Sequence, residues 1–283
     1  MSCRGRPQRT SQGGRVSLTL AAGESSAGLP PLVVRDFTKR YGDQLAVDGL
    51  SFDAHHGEIL GLVGPNGAGK TTTLRSIAGI LPIQEGRVIV GGYDIATEEA
   101  AAKNLLAWVP DDPQPFDSLT VMEHLEFTAG LYGVSDWQPK ATSLLERFDL
   151  MDRAGALGGE LSRGMRQKLA ICAAWLSEPG VVLLDEPLSG LDPRGIRSAR
   201  DAIRELADTG VAVILSSHLL ELIEALADRL LIMDHGRRIF VGTLAEARAM
   251  ITKDSGTSLE EIFMAVTGGP REERPSAPRA GTE

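Results

Sequence analysis

This 283-residue sequence predicts an α/β fold with a central, largely parallel sheet, and three observations support that prediction. Four short runs, residues 59–63, 181–184, 211–215 and 229–233, are β-branched or Leu-rich and apolar on both faces, as strands inside a parallel sheet are. Between them, residues 71–80, 197–208 and 219–227 carry apolar positions at helical spacing, so strand and helix alternate. Upstream, residues 32–53 alternate differently (Val33, Phe37, Leu45, Val47, Leu50, Phe52), which predicts antiparallel strands at an edge.

Composition narrows the class. The chain is 42% hydrophobic and 24% charged, enough for a sizeable core, and its 5% aromatic content leaves most packing to aliphatic side chains. No apolar run reaches the 18 or more residues of a membrane span. Residues 1–30 hold four Arg and one Glu, a charge of +3; the net charge is −9, so residues 31–283 carry −12. An acidic body argues against nucleic acid as the main partner. The two cysteines, Cys3 and Cys172, form no CxxC pair, which excludes a disulfide framework and a thiolate zinc site and fits a reducing compartment.

In chain order, residues 1–30 are rich in Arg, Ser, Gly and Gln and read as a disordered basic extension. Arg residues precede an apolar stretch at 16–22 in the manner of a secretion leader, but Ser17 and Thr19 interrupt it. Residues 31–268 form the folded domain. Its middle, about 103–178, reads as mostly helical and interrupts the α/β alternation as a subdomain. Residues 269–283 read as a disordered tail with three Pro and balanced charges. No internal repeat is present, so there is one catalytic module.

Chemistry concentrates first in Gly64-Pro65-Asn66-Gly67-Ala68-Gly69-Lys70-Thr71, placed between an apolar strand and a helical run. That context is what a phosphate-binding P-loop requires: glycines let backbone N–H groups turn inward, and the helix start adds its positive dipole end. Lys70 would contact the terminal phosphates and the Thr71 hydroxyl would bind magnesium. The second element is Val181-Val182-Leu183-Leu184-Asp185-Glu186, an apolar strand ending in two carboxylates. Asp185 would hold the magnesium, and Glu186 would orient and deprotonate an attacking water. A water-activating base specifies hydrolysis rather than transfer to a second substrate. His55-His56 precedes a Gly and reads as a surface turn, His124 and His235 have no assigned role, and Cys172 reads as core.

Five motifs stand in one order: 64–72, Leu161-Ser162-Arg163-Gly164-Met165, Leu184-Asp185-Glu186-Pro187, Ser189-Gly190-Leu191-Asp192 and Ser216-Ser217-His218. In that order the chain resembles the ATP-binding cassette (ABC) ATPases over roughly residues 32–268. The resemblance implies a P-loop NTPase (RecA-like) core with an antiparallel β edge subdomain and a helical subdomain. It implies ATP and Mg2+ as cofactors, bound by Tyr41 (stacked on adenine), Gly64, Pro65, Asn66, Gly67, Ala68, Gly69, Lys70, Thr71 and Thr72. In a homodimer formed on ATP, Ser162 and Gly164 would reach the phosphates of the other copy. Residues 189–192 resemble the loop that couples the two sites, and His218 the switch histidine at the γ-phosphate.

The sequence departs from the family pattern at three places. The signature reads LSRGM, with Arg163 for the first Gly and Met165 for Gln. Where the family has Gln after an apolar-Pro pair, Trp108-Val109-Pro110 is followed by Asp111, a further candidate magnesium ligand, with Gln114 three residues on. The extension 1–30 has no counterpart in the resembled pattern.

The resemblance also implies a partner: a separate multi-span membrane permease resting on a surface within 111–137, with this chain at the cytoplasmic face. Segments around Phe116, residues 127–133 and 258–263 resemble exporter-type cassettes. The expected function is therefore ATP hydrolysis driving export through another polypeptide. The competing expectations are a soluble ABC ATPase acting on nucleic acid or the ribosome, and an ATP-sensing regulatory module. A single cassette without a long heptad insert favours the transporter.

Overall fold

The computed structural model describes residues 29–251 and 259–267. The expectations of disorder for the extension (1–28) and the tail (269–283) lie outside the described residues.

The chain begins with β1 (Leu32–Tyr41) and β2 (Gln44–Ala54), an antiparallel pair, and then β3 (Ile59–Val63) leads through the glycine-rich turn into α1 (Lys70–Ile77). β4 (Glu85–Val90) and β5 (Tyr93–Asp94) return to the first pair and make a four-stranded antiparallel sheet in the order β2-β1-β4-β5. After α2 (Glu99–Lys103) and β6 (Leu106–Val109) come three helices, α3 (Val121–Tyr132), α4 (Trp137–Arg147) and α5 (Arg163–Leu176). The remainder alternates: β7 (Val181–Asp185), α6 (Pro193–Asp208), β8 (Ala212–Ser216), α7 (Leu220–Leu226), β9 (Arg229–Asp234), β10 (Arg237–Thr243), α8 (Leu244–Ile251) and α9 (Leu259–Thr267). The second sheet runs β10-β9-β3-β8-β7-β6, parallel throughout except for β10 against β9.

One element corrects the sequence reading. The stretch 103–178 is not helical from its start: Leu106–Val109 is a parallel strand paired with β7, and helix begins only at Val121. Four residues, Leu-Ala-Trp-Val, are too few to show alternation, and three of the four are buried by the sheet they join.

Period-two side-chain alternation on the parallel strands divides the core in two. Ile59, Val63, Val182, Leu184, Val213, Leu215 and Ile232 face a cluster completed by the helices α3 to α7. Leu60, Leu62, Leu183, Ile214, Leu231 and Met233 face a second cluster completed by α1 and the antiparallel sheet. β3, β7 and β8 are buried at every position, so both faces of each strand are covered. Each such Leu, Ile or Val contributes roughly 1.5–3 kcal/mol by leaving water.

Local chemistry sets the helix starts. Asp192 caps α6, accepting from the Gly195 N–H at 3.1 Å, with Pro193 as the first helical residue. Thr120 and Glu123 form a reciprocal capping box on α3: Thr120 Oγ1 accepts from the Glu123 N–H at 3.2 Å, and Glu123 Oε2 accepts from the Thr120 N–H at 2.7 Å. These caps place the loops 110–120 and 186–192 at the carboxyl ends of β6 and β7.

Candidate active site

The glycine-rich turn sits between a fully buried strand and α1. Two of its glycines are needed by geometry. Gly69 has φ 98°, and a Cβ there would lie 2.6 Å from the Ala46 carbonyl oxygen; a Cβ on Gly64 would lie 2.5 Å from that of Met233. Ala68 donates to the Pro65 carbonyl at 3.1 Å, closing the turn, with Asn66 and Gly67 exposed at its tip. No side chain caps α1, which leaves the N–H groups of its first turn for a ligand. Lys70 Nζ donates to the carbonyls of Gly64 (2.7 Å) and Pro65 (3.2 Å). Burial lowers the Lys70 pKa below its ordinary value, opposed by the charges of Glu186 and Asp185. Beside the turn lies a cavity of about 310 Å³ lined by Tyr41, Gln44, Leu45, Ala46 and residues 66–72, Thr72 included. Tyr41 is 47% exposed at the end of β1, and Lys39 Nζ lies 6.0 Å from its ring centre.

β7 delivers the two carboxylates. Asp185 is buried; its Oδ1 accepts from Ser216 Oγ at 2.5 Å and from Thr71 Oγ1 at 3.5 Å. A hydroxyl and a carboxylate at this separation are the hard oxygen donors that suit a small divalent cation. Glu186 takes a left-handed backbone, φ 49°, unusual for a residue with a Cβ. Two backbone hydrogen bonds hold it there: its N–H donates to the Ser216 carbonyl (3.1 Å), and its own carbonyl accepts from the Ser189 N–H (3.0 Å). Its Oε2 accepts from Ser217 Oγ at 3.2 Å and from the His218 imidazole Nδ1 at 2.8 Å. Because an ionised carboxylate only accepts, the His218 Nδ1 carries the proton.

The fold therefore brings Lys70, Thr71, Asp185, Glu186 and His218 into one connected cluster. Ser216 and Ser217 belong to it as well, although the sequence reading gave neither a role. Their signal was available: both directly precede His218, and Ser216 is the register partner of Asp185 across β7 and β8.

Three of the sequence-predicted residues stand elsewhere. Ser162 caps α5, accepting from the Met165 N–H at 3.3 Å, and Gly164 packs against Gly190. Neither lines the Lys70 cavity. Asp111 is ion-paired with Arg163 at 3.1 Å, and Gln114 donates to Asp112 at 2.7 Å. His124 is spent structurally: its Nδ1 lies 2.7 Å from the Thr120 carbonyl, and its Nε2 accepts from the Phe116 N–H at 2.9 Å. Cys172 is buried, which pushes its thiol up to about 12.

A groove of about 320 Å³ opens beside the 110–116 loop, lined by Trp108, Pro113, Phe116, Phe127, Tyr132 and Arg166 among others. Phe116 and Phe127 meet edge to face at 5.8 Å yet remain 58% and 51% exposed. The Arg166 Nε is buried and has no hydrogen-bond partner.

Comparison with known proteins identifies the arrangement. The profile of the ABC transporter family matches residues 47–189. The chain is 36% identical over 226 residues to the linearmycin resistance ATP-binding protein LnrL of Bacillus subtilis (strain 168), covering 79% of this chain and 73% of that one. It is also 36% identical over 235 residues to a Nod factor export ATP-binding protein of Burkholderia orbicola (strain AU 1054), covering 82% and 76%. Among solved structures, the ATP-binding subunit of an ABC transporter superposes with a TM-score of 0.80 at 32% identity, covering 83% of this chain and 98% of that one. The sheet order, the glycine-rich turn and the carboxylate pair thus sit in a known frame, and the chain belongs to the ABC transporter family as an ATP-binding, ATP-hydrolysing subunit.

Proposed function

We propose that this chain powers export through a separate multi-span membrane permease, docked at the cytoplasmic face of the membrane and working as a homodimer that closes on ATP. Lys70 and the N–H groups of 66–72 hold the phosphates and Tyr41 stacks on the adenine. Thr71 and Asp185 hold the magnesium, whose charge offsets that of the phosphates when it is bound. Glu186 takes a proton from the attacking water, with His218 orienting its carboxylate and facing the γ-phosphate. Ser162 and Gly164 of the second copy complete the phosphate site through the start of α5.

One observation carries the permease reading: the groove over the 110–116 loop exposes two packed phenylalanines beside an Arg166 guanidinium whose Nε has no partner. Apolar surface around a buried, unpartnered guanidinium N–H calls for an occupant with an apolar face and an acceptor for the Arg166 Nε. The names of two relatives, linearmycin resistance and Nod factor export, support the outward direction.

The test is co-purification from detergent-solubilised membranes. A multi-span membrane protein should accompany the unaltered chain and be lost with Phe116→Asp or Phe127→Asp, while ATPase activity persists. ATPase activity stimulated by DNA or RNA and indifferent to membranes would overturn the reading in favour of a soluble ATPase.

A further inference from the structure

We propose that Arg163 is a positioning residue for ATP hydrolysis, joining the loop after β6 through Asp111 to the loop after β7 through Ser189, and so registering the start of α5 against the hydrolytic carboxylate. A single guanidinium nitrogen, Nη2, donates to Asp111 Oδ1 at 3.1 Å and to Ser189 Oγ at 2.9 Å. Those partners are 52 and 26 residues away in sequence, so two loops and the start of α5 meet on one side chain.

Packing reinforces the polar contacts. A Cβ on Gly164 would stand 2.6 Å from the Gly190 carbonyl oxygen, so only glycine lets α5 approach this closely. A Cβ on Gly190 would lie 3.4 Å from Arg163 Cγ, which lays the arginine stem along the same turn. Ser189 in turn donates its N–H to the Glu186 carbonyl at 3.0 Å. A continuous path therefore runs from Asp111 through Arg163 and Ser189 to the backbone of Glu186. The β6–β7 register brings its two ends to one edge of the sheet: Val109, two residues before Asp111, pairs with Leu184, two residues before Glu186.

The path also explains two departures from the family pattern at once. An acid replaces the loop glutamine and a base replaces the first signature glycine, and each is the other's partner. Asp111 then acts on hydrolysis through Arg163 rather than as a magnesium ligand. Both side chains are half exposed, and such pairs contribute little to overall stability, so their loss disturbs the loops without unfolding the domain.

The test rests on the ATPase activity and separates it from the latch. Steady-state ATPase is measured against ATP and against magnesium for Asp111→Asn, Arg163→Gln, the double variant and the charge-reversed pair Asp111→Arg with Arg163→Asp, with thermal midpoints to confirm folding. Each single change should lower kcat about 5–10-fold with the KM for ATP and the magnesium half-saturation shifted less than about 2-fold, and the double should be no slower than the worse single. The charge-reversed pair should recover at least about half of the lost rate. A raised magnesium requirement in Asp111→Asn alone would assign Asp111 to the metal and overturn the proposal. Additive losses, or near-normal kcat in both single variants, would overturn it as well. An unaltered chain without ATPase activity would instead count against the catalytic reading itself.

Discussion

The two halves of the site are built differently. Lys70 opens the helix that follows buried β3, Asp185 ends buried β7 and Glu186 directly follows it, and every one has hydrogen-bond partners within its own chain. Ser162, Arg163 and Asp111 lie on loops and a helix start, exposed, with Arg163 bridging Asp111 and Ser189 and Ser162 capping its own helix. The first half is a connected cluster beside the glycine-rich turn; the second lines no part of the cavity there. A buried strand can hold side chains in a fixed geometry, whereas loops and a helix start leave theirs at the rim, where the proposed second copy would meet them.

Four experiments would break or sharpen this contrast. Glu186→Gln should bind ATP but hydrolyse it at least ~100-fold slower, the scale for losing a positioned base. Light scattering on that variant should show a mass doubling that requires ATP and magnesium, because ATP touching both faces stabilises association by mass action. Near-normal turnover would remove Glu186 from its role, and a monomer under all conditions would remove the second half from the site in solution. Gly164→Ala pushes a methyl to 2.6 Å from the Gly190 carbonyl. It should slow turnover about 10-fold, with ATP affinity unchanged, since the first half is untouched. A fall in affinity of the isolated chain would show that the halves are not separate. Tyr41→Ala should weaken ATP binding by about 5-fold, roughly 1 kcal/mol of lost stacking, without changing kcat; equilibrium nucleotide titration decides this.

The smallest effect concerns pH. The Lys70 pKa is lowered from 10.5 by burial, so its charge is present below the lowered value and lost as pH rises through it. ATP affinity should therefore begin to fall at a lower pH than an ordinary lysine would allow. The linked stability has the opposite sense: burying the charge costs stability at low pH, and that cost relaxes as Lys70 deprotonates. Nucleotide titrations across the alkaline range check the first; urea midpoints over the same range check the second.

Much of the first half was legible because its signals are local. Ile59–Val63 announces itself as a strand by five apolar residues, and the glycines and Lys70 follow at once. Strands 181–184 and 211–215 were displaced by only one residue at their ends, to Val181–Asp185 and Ala212–Ser216. β6 escaped because four residues without alternation look like part of the helical stretch around them, and what makes them a strand is their pairing with β7, far along the chain. Arg163 and Asp111 escaped as a pair for the same reason. Each was visible as an anomaly, but 52 residues separate them and only the folded loops join them. The positive φ of Glu186 has no sequence signature either, since it follows from the hydrogen bonds at Ser216 and Ser189.

The position of β3 has a consequence during synthesis. Its flanking strands are β8 and β9, so the strand that leads into the glycine-rich turn can gain its first partner only after residue 216 has emerged and its second only after residue 234, 171 residues (234 − 63) beyond its own end. At about 5–20 residues per second the ribosome needs roughly 10–30 seconds to supply them. Until residue 216 emerges both edges of Ile59–Val63 lack their partners, and one edge lacks its partner until residue 234. The same topology that buries this strand on both faces makes an element formed early in synthesis wait for partners made late.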